Sequence, residues 1–279
     1  MTYTAGVARA ELTFLKMSGS GNDFLVFDAR SGLAAGLDAP ETIVRLCARG
    51  SGVGADGVVF IEAASDALFR MRYHNADGSR AELCGNAALC STRLAVELGL
   101  AKEGHDFQFQ TDSGLMQARM VDGLPEILLA PVTEVEPSAP DIAPVEGEER
   151  LGYAVAGVPH LVVACASAEQ ADVTGRGSVL RRHPSLPKGA NVNFVSASGS
   201  EWRYRTYERG VEAETLACGT GAVATAILLA EWGRTTDPVR LRTSSGEVLT
   251  VRLGRAGDEW HPSLSGPARI VYEGMLREY

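Results

Sequence analysis

Apolar residues fall along this chain in two patterns. Two segments, C-G-N-A-A-L-C-S-T-R-L-A-V-E-L-G from Cys84 and C-G-T-G-A-V-A-T-A-I-L-L-A-E-W-G from Cys218, are apolar on nearly every face, and in each a cysteine stands fifteen residues before a glycine. Both are predicted helices, ended by Gly99 and Gly233 in the left-handed conformation that commonly closes a helix. A helix apolar all round has to be enclosed rather than laid on a surface. The other apolar residues come in short runs typical of strands: V-V-F-I-E (58–62), F-R-M-R-Y-H-N (69–75), F-Q-F-Q (107–110), E-I-L-L (126–129), W-R-Y-R-T-Y-E-R (202–209) and V-R-L-R (239–242).

The two cysteine segments look like one element used twice, and the spacing upstream supports this. Asn75 and Arg209 each stand nine residues before their cysteine, and the strand-like G-N-D-F-L-V-F and G-V-P-H-L-V-V begin 63 and 61 residues before theirs. Between the copies, Pro131 to Arg150 carries four prolines and six acidic residues and reads as a linker. The expected fold is therefore α+β: two pseudo-symmetric domains, each a curved, mostly antiparallel sheet or barrel around a central helix. The domains are expected at 1–130 and 131–267. Strict β-α-β alternation, the mark of a doubly wound fold, is absent.

Composition narrows the function. A net charge of −9, with lysine only at 16, 102 and 188, excludes a nucleic-acid surface, which needs clustered Lys and Arg. A small polar substrate fits better. Apolar runs such as Ala222 to Ala230 are shorter than the roughly 18 to 20 residues of a membrane span, and residues 1–15 lack a secretory signal pattern, so a cytoplasmic protein without a membrane partner is expected. Five cysteines at 47, 84, 90, 165 and 218 are an odd set without disulfide-scaffold or zinc-knuckle spacing, which suits free thiols in a reducing compartment.

A cysteine at a helix start faces unpaired backbone N–H groups and the positive end of the helix dipole, which favour thiolate. The same N–H groups can hold a carboxylate, more strongly as enolate charge builds on its oxygens. Two related halves meeting face to face would set Cys84 and Cys218 on opposite sides of one carbon. One sulfur would remove its proton and the other deliver one to the opposite face. His160 and Glu208 are candidate partners for the two sulfurs, while Cys47, Cys90 and Cys165 read as packing. The glycines of S-G-S-G-N-D-F (18–24) and G-V-G-A-D-G (52–57) lack a phosphate-loop pattern and read as tight turns at the cleft.

These residues resemble the diaminopimelate epimerase family. K-M-S-G-S-G-N-D-F (16–24), G-V-G-A-D-G (52–57), N-A-D-G-S-R-A-E-L-C-G-N (75–86), A-N-V-N-F-V (190–195), Y-E-R-G-V-E-A-E-T-L-A-C-G-T-G-A (207–222) and G-P-A-R-I-V-Y-E-G (266–274) match its blocks in order across almost the whole chain. The resemblance implies interconversion of LL- and meso-diaminopimelate without pyridoxal phosphate or metal, in bacterial lysine and peptidoglycan synthesis. It implies that 268–279 returns as a strand to the first domain, and leaves a homodimer open. Carried over by position, Cys84 and Cys218 are the acid/base pair, assisted by His160 and Glu208. Gly85, Asn86, Gly219 and Thr220 hold the reacting carboxylate, and Asn22, Asn75, Asn191 and Arg209 hold the distal head. The chain departs from the family at Val158, where Asn is frequent, at Ser244-Ser245-Gly246 in place of Pro-Gly-Gly, and at Ala87 in place of Gly.

Three other readings compete. A two-thiol racemase of proline or hydroxyproline would leave Arg209 and Asn75 without a distal head to bind. A thiol redox protein would leave twin helix starts unexplained, and no C-x-x-C is present. A non-catalytic binder would keep the fold without needing the thiols.

Overall fold

The computed structural model describes residues 12–139 and 141–279, so the reading of residues 1–11 as free of a signal, and the first residues of the 1–130 domain, lie outside the described residues. The first half contains β1 (Leu12–Gly19), β2 (Asn22–Asp28), α1 (Pro40–Cys47), β3 (Gly57–Glu62), β4 (Arg70–Asn75), β5 (Arg80–Ala81), α2 (Gly85–Glu97), β6 (Phe107–Thr111), β7 (Gly114–Val121) and β8 (Leu124–Leu128). The second contains β9 (Val135–Glu136), β10 (Glu148–Ala156), β11 (Val158–Cys165), α3 (Val173–Leu180), β12 (Asn191–Ser198), β13 (Glu201–Glu208), β14 (Ala213–Thr215), α4 (Gly219–Glu231), β15 (Val239–Arg242), β16 (Val248–Ala256), β17 (Glu259–Ser265) and β18 (Ala268–Leu276).

The duplicated plan is present in the hydrogen bonding. From β1 the pairings run antiparallel to β2, parallel to β3, antiparallel to β4, parallel to β6, then antiparallel to β7 and β8. From β10 the same succession passes through β11, β12, β13, β15, β16 and β17. A parallel pair needs a crossover, and each half makes two, α1 and α2 in the first and α3 and α4 in the second. One strand crosses between the halves: β18, at the end of the second, pairs with β1 of the first, as expected for the C-terminal segment, whereas β9 pairs with β10 inside the second. An antiparallel β8–β17 pair joins them into one network.

Both central helices are enclosed. α2 touches β1, β4, β7, β8 and β18, and α4 touches β10, β11, β12, β16 and β17, strands separated in sheet order that meet one helix only because the sheet curves around it. Alanine-rich faces let the strands approach closely. Within α2 the buried Ser91 and Thr92 hydroxyls return their hydrogen bonds to the carbonyls of Ala87 (2.9 Å) and Ala88 (2.8 Å), so neither is stranded. Gly99 (φ 68°) and Gly233 (φ 66°) end the helices as expected. In each case the next amide, of Leu100 or Arg234, reaches back to Ala95 or Leu229 at 2.9 Å, closing a Schellman motif.

α1 and α3 are not evident in the apolar pattern. α1 opens with Pro40 in its first turn, and Ile43, Leu46 and Cys47 cover the outer sheet face around Phe14, Phe27 and Phe60. α3 contains two glycines that hide it; Asp172 caps it by accepting from the Gly175 amide at 2.8 Å, and Val173 and Leu180 cover Leu161, Val163 and Phe194. The segment read as a linker is a strap with structure of its own. Val132 bridges to Trp260, β9 lies on β10, and Ala139 and Ile142 are buried in the α3 core. Its pattern looks irregular because successive residues serve different partners.

Alanine at position 233 would carry a Cβ in a left-handed backbone, at a cost of about 1–2 kcal/mol. Gly233→Ala is therefore expected to lower the midpoint of thermal unfolding by several degrees, followed by circular dichroism. An unchanged or higher midpoint contradicts the role given to this glycine.

Candidate active site

Cys84 and Cys218 are the N-cap residues of α2 and α4, with nearly equal extended backbones (φ −130°, ψ 117° and φ −134°, ψ 111°). Each carbonyl accepts the first helical hydrogen bond, from Ala88 at 2.9 Å and Ala222 at 3.0 Å. The two starts converge on one side chain. A Cβ built on Gly85 or Gly219 would stand 3.6 or 2.8 Å from Leu264 Cδ2, and Leu264 belongs to the β8–β17 pair that joins the halves. The charge of Glu208 reaches both sulfurs, and that of Cys84 reaches Cys218. The turns also meet: Ser245, in Ser244-Ser245-Gly246, packs against the positive-φ Gly21, which places the first glycine-rich turn between the halves.

Thiol acidity is decided by a contest that the sequence shows only in part. Burial pushes Cys84 up to about 11, although the amides of Ala87 and Asn86 and the Tyr73 hydroxyl pull it down. Burial and the Glu208 charge push Cys218 up to about 12, against the Thr220 hydroxyl, 3.6 Å from the sulfur, and the Gly221 amide. The helix starts act in the expected direction, but desolvation outweighs them, and both thiols are protonated at neutral pH.

Around α2, Asn86 donates to Asn22 at 2.7 Å and Asn22 to Asp56 at 2.9 Å. Asp56 also accepts from the Asp23 amide (3.1 Å) and from Arg49 (2.7 Å). Burial would raise the Asp23 carboxyl, but Arg49 and the buried Lys16, 2.6 Å away, hold it at about 2. Asn22 is thus fixed by an ionic cluster that the sequence reading did not identify. Around α4, buried Asn191 accepts from the Arg209 amide at 2.7 Å, and the Arg209 guanidinium donates to the Lys188 carbonyl at 2.9 Å.

His160 is wholly buried beside Asn191 on the neighbouring strand, and burial together with the Arg209 charge lowers it to about 3. Its ring bonds to Asn193 at 3.3 Å rather than to a sulfur. Glu208 is half-buried at the end of β13, and burial raises its carboxyl. Asn75 donates to Ser79 in its own turn at 3.0 Å. The register shows that the equal spacing of Asn75 and Arg209 is not equivalence. Tyr73 lies opposite Ala81 and Thr206 opposite Thr215, so Asn75 corresponds to Glu208 and the second turn holds one residue more. Arg209 follows Glu208 directly and opens the longer turn.

Asn193, Tyr204 and Thr206 were missed, yet alternation marks them. Asn193 is two residues from Asn191 and so shares its face of β12, and Tyr204 and Thr206 share one face of β13. Among the described residues no group of three or more His, Cys, Asp and Glu is arranged to hold a metal ion, and no helix is long and apolar enough to cross a membrane.

The family model described as diaminopimelate epimerase matches residues 14–128 and 152–271. A protein of that description from Gemmatimonas aurantiaca is 47% identical over 277 residues, covering 95% of this chain and 99% of the relative. Among solved structures, a PhzF-family phenazine biosynthesis protein from Bacillus anthracis superposes with a TM-score of 0.73 at 16% identity, over 96% of this chain and 99% of its own. A hydroxyproline epimerase from Agrobacterium vitis does so at 0.68 and 18%, over 96% and 91%. At those identities the two structures establish the shared two-domain fold.

Because the thiolate is the species that reacts, alkylation of Cys84 and Cys218 by iodoacetamide is expected to quicken about tenfold per pH unit from pH 7.5 to 10 without levelling. A plateau below pH 9, read by peptide mass spectrometry, would show that the helix starts dominate burial.

Proposed function

The chain belongs to the diaminopimelate epimerase family and interconverts LL- and meso-diaminopimelate on the route to lysine, and we propose that Cys84 and Cys218 carry the proton between the two faces of the α-carbon. The observation that carries this reading is the pair of N-cap cysteines on helices whose starts meet at Leu264. The substrate carboxylate sits on the amides of Gly85, Asn86, Gly219 and Thr220, which stabilise it most when its oxygens take up enolate charge. Asn22 orients Asn86 in this cradle. Arg209 takes the distal carboxylate as a charge-assisted pair, with Asn191 holding its backbone and Asn75 at the distal ammonium.

Both thiols are protonated in the protein alone, so the reaction needs one of them ionised as substrate binds. The substrate's α-ammonium supplies a positive charge beside the sulfurs, which lowers a thiol pKa. Glu208, whose charge reaches both sulfurs, stands where it can take the released proton. The thiolate then removes the α-proton from one face while the opposite thiol donates to the other, and the pair ends with its protonation states exchanged.

The domain boundaries proposed are 1–130 with β18, and 131–267. The site is proposed to work in the cytoplasm, where the thiols stay reduced. A homodimer is proposed through β18, whose Ile270, Val271, Tyr272 and Met275 expose a row of apolar surface at a sheet edge.

In D2O, LL-diaminopimelate is expected to yield the meso isomer carrying solvent deuterium at one α-carbon. Cys84→Ser and Cys218→Ser should each lower turnover by roughly 10²–10⁴-fold with the fold intact. Near-normal turnover in either variant would falsify the two-base assignment, and exchange on proline in preference to diaminopimelate would overturn the assignment of Arg209. Sedimentation of Val271→Lys should show a monomer where the unsubstituted protein is dimeric; equal masses refute the β18 interface.

A further inference from the structure

His160 contributes to the site in a way that depends on where its single proton sits, and its surroundings settle that. Asn193, wholly buried beneath the start of α4, has partners at both ends of its amide. Its oxygen accepts from the Thr206 hydroxyl at 3.0 Å and lies 3.1 Å from the Tyr204 hydroxyl. Its nitrogen is 3.2 Å from the Leu161 carbonyl and 3.3 Å from His160 Nδ1. A carbonyl can only accept, so the NH2 end must face Leu161, and its second N–H points at Nδ1. Nδ1 therefore offers its lone pair. A neutral imidazole has one proton, and that proton is on Nε2. Nε2 is buried and without a protein partner among the described residues. Burial and the Arg209 charge keep the ring neutral.

The same asparagine ties this donor to the reacting helix. A Cβ on Gly221 would stand 2.4 Å from the Asn193 oxygen and 2.3 Å from the Tyr204 hydroxyl, and that hydroxyl reaches the Cys218 carbonyl at 3.0 Å. Gly221 lets α4 descend onto the pair, and His160 and Cys218 are held in one frame.

We propose that Asn193 is a positioning residue that fixes His160 as its Nε2–H tautomer, so that His160 serves the reaction as a neutral hydrogen-bond donor to an anion and not as a base. The tautomer stands on the hydrogen bonds alone; the role in the reaction rests on the epimerase reading above. The anion is the substrate carboxylate or a cysteine thiolate.

The test is 15N NMR of histidine-labelled protein, with the His160 signals identified by their loss in His160→Gln. Expected from pH 6 to 9 are a protonated Nε2 and a bare Nδ1; a protonated Nδ1, or a doubly protonated ring, would overturn the proposal. Titration with meso-diaminopimelate should move the Nε2–H resonance if the acceptor is the carboxylate, and titration of the thiols should move it if it is a thiolate. Movement in neither overturns the donor role. Asn193→Asp presents an acceptor to Nδ1 and should transfer the proton there, with kcat falling on the order of 10²-fold and KM changing less; an unchanged kcat with the tautomer reversed also overturns the donor role. Failure of the two-base reading is separable, since active Cys84→Ser or Cys218→Ser proteins would leave the unsubstituted protein's tautomer as it is.

Discussion

The first backbone N–H groups of any α-helix have no acceptor within the helix. Here two such sets are driven inside the protein and aimed at the same place, because α2 and α4 are apolar all round and are enclosed by their sheets. Placing two unsatisfied positive ends together is unfavourable unless something negative comes between them. The arrangement is therefore specific before any side chain acts: it suits an anion whose charge is shared by both ends. The cysteines inherit this setting as N-caps, and burial, which makes them poor acids in isolation, is the same burial that strengthens the field at the bound carboxylate.

Much of the plan was legible in the sequence, for physical reasons. Cys84 and Cys218 with their glycines fifteen residues on carry the whole grammar of a helix, and an apolar surface on every side forces enclosure. Strands such as F-R-M-R-Y-H-N were readable because one face is buried. The spacing of Asn75 and Arg209 misled, since counting residues cannot see that the second turn is one residue longer, whereas the ladder can. Thiol acidity was half legible: the amides follow from the helix start, but the competing desolvation depends on how tightly Tyr73, Leu264 and the opposite half close over the sulfurs. Asn193 illustrates another limit. Its position on a strand face could be read, but not which of its amide ends meets His160.

The two halves have diverged where a symmetric pair would be a handicap. Near α2 the Asn22–Asp56–Asp23–Lys16 cluster fixes the cradle with part-buried charge. Near α4 the corresponding support is neutral, a single asparagine with two hydroxyls and an imidazole. Glu208 stands where the first half has Asn75, and Arg209 opens the longer of the two turns. In the proposed complex, the reacting head and the distal head of the substrate would thus meet two different walls around a nearly symmetric centre.

The return of β18 to β1 has a topological consequence. The first half completes its sheet with a strand that follows the second half in the chain, so the covalent order and the spatial order of the domains are interleaved. Cutting the chain between the halves does not release two finished bodies; one would carry an extra strand and the other would expose a bare edge. The β18–β1 and β8–β17 pairs tie the halves at two places, so the walls of the cleft cannot drift apart or slide out of register while these ladders stay intact.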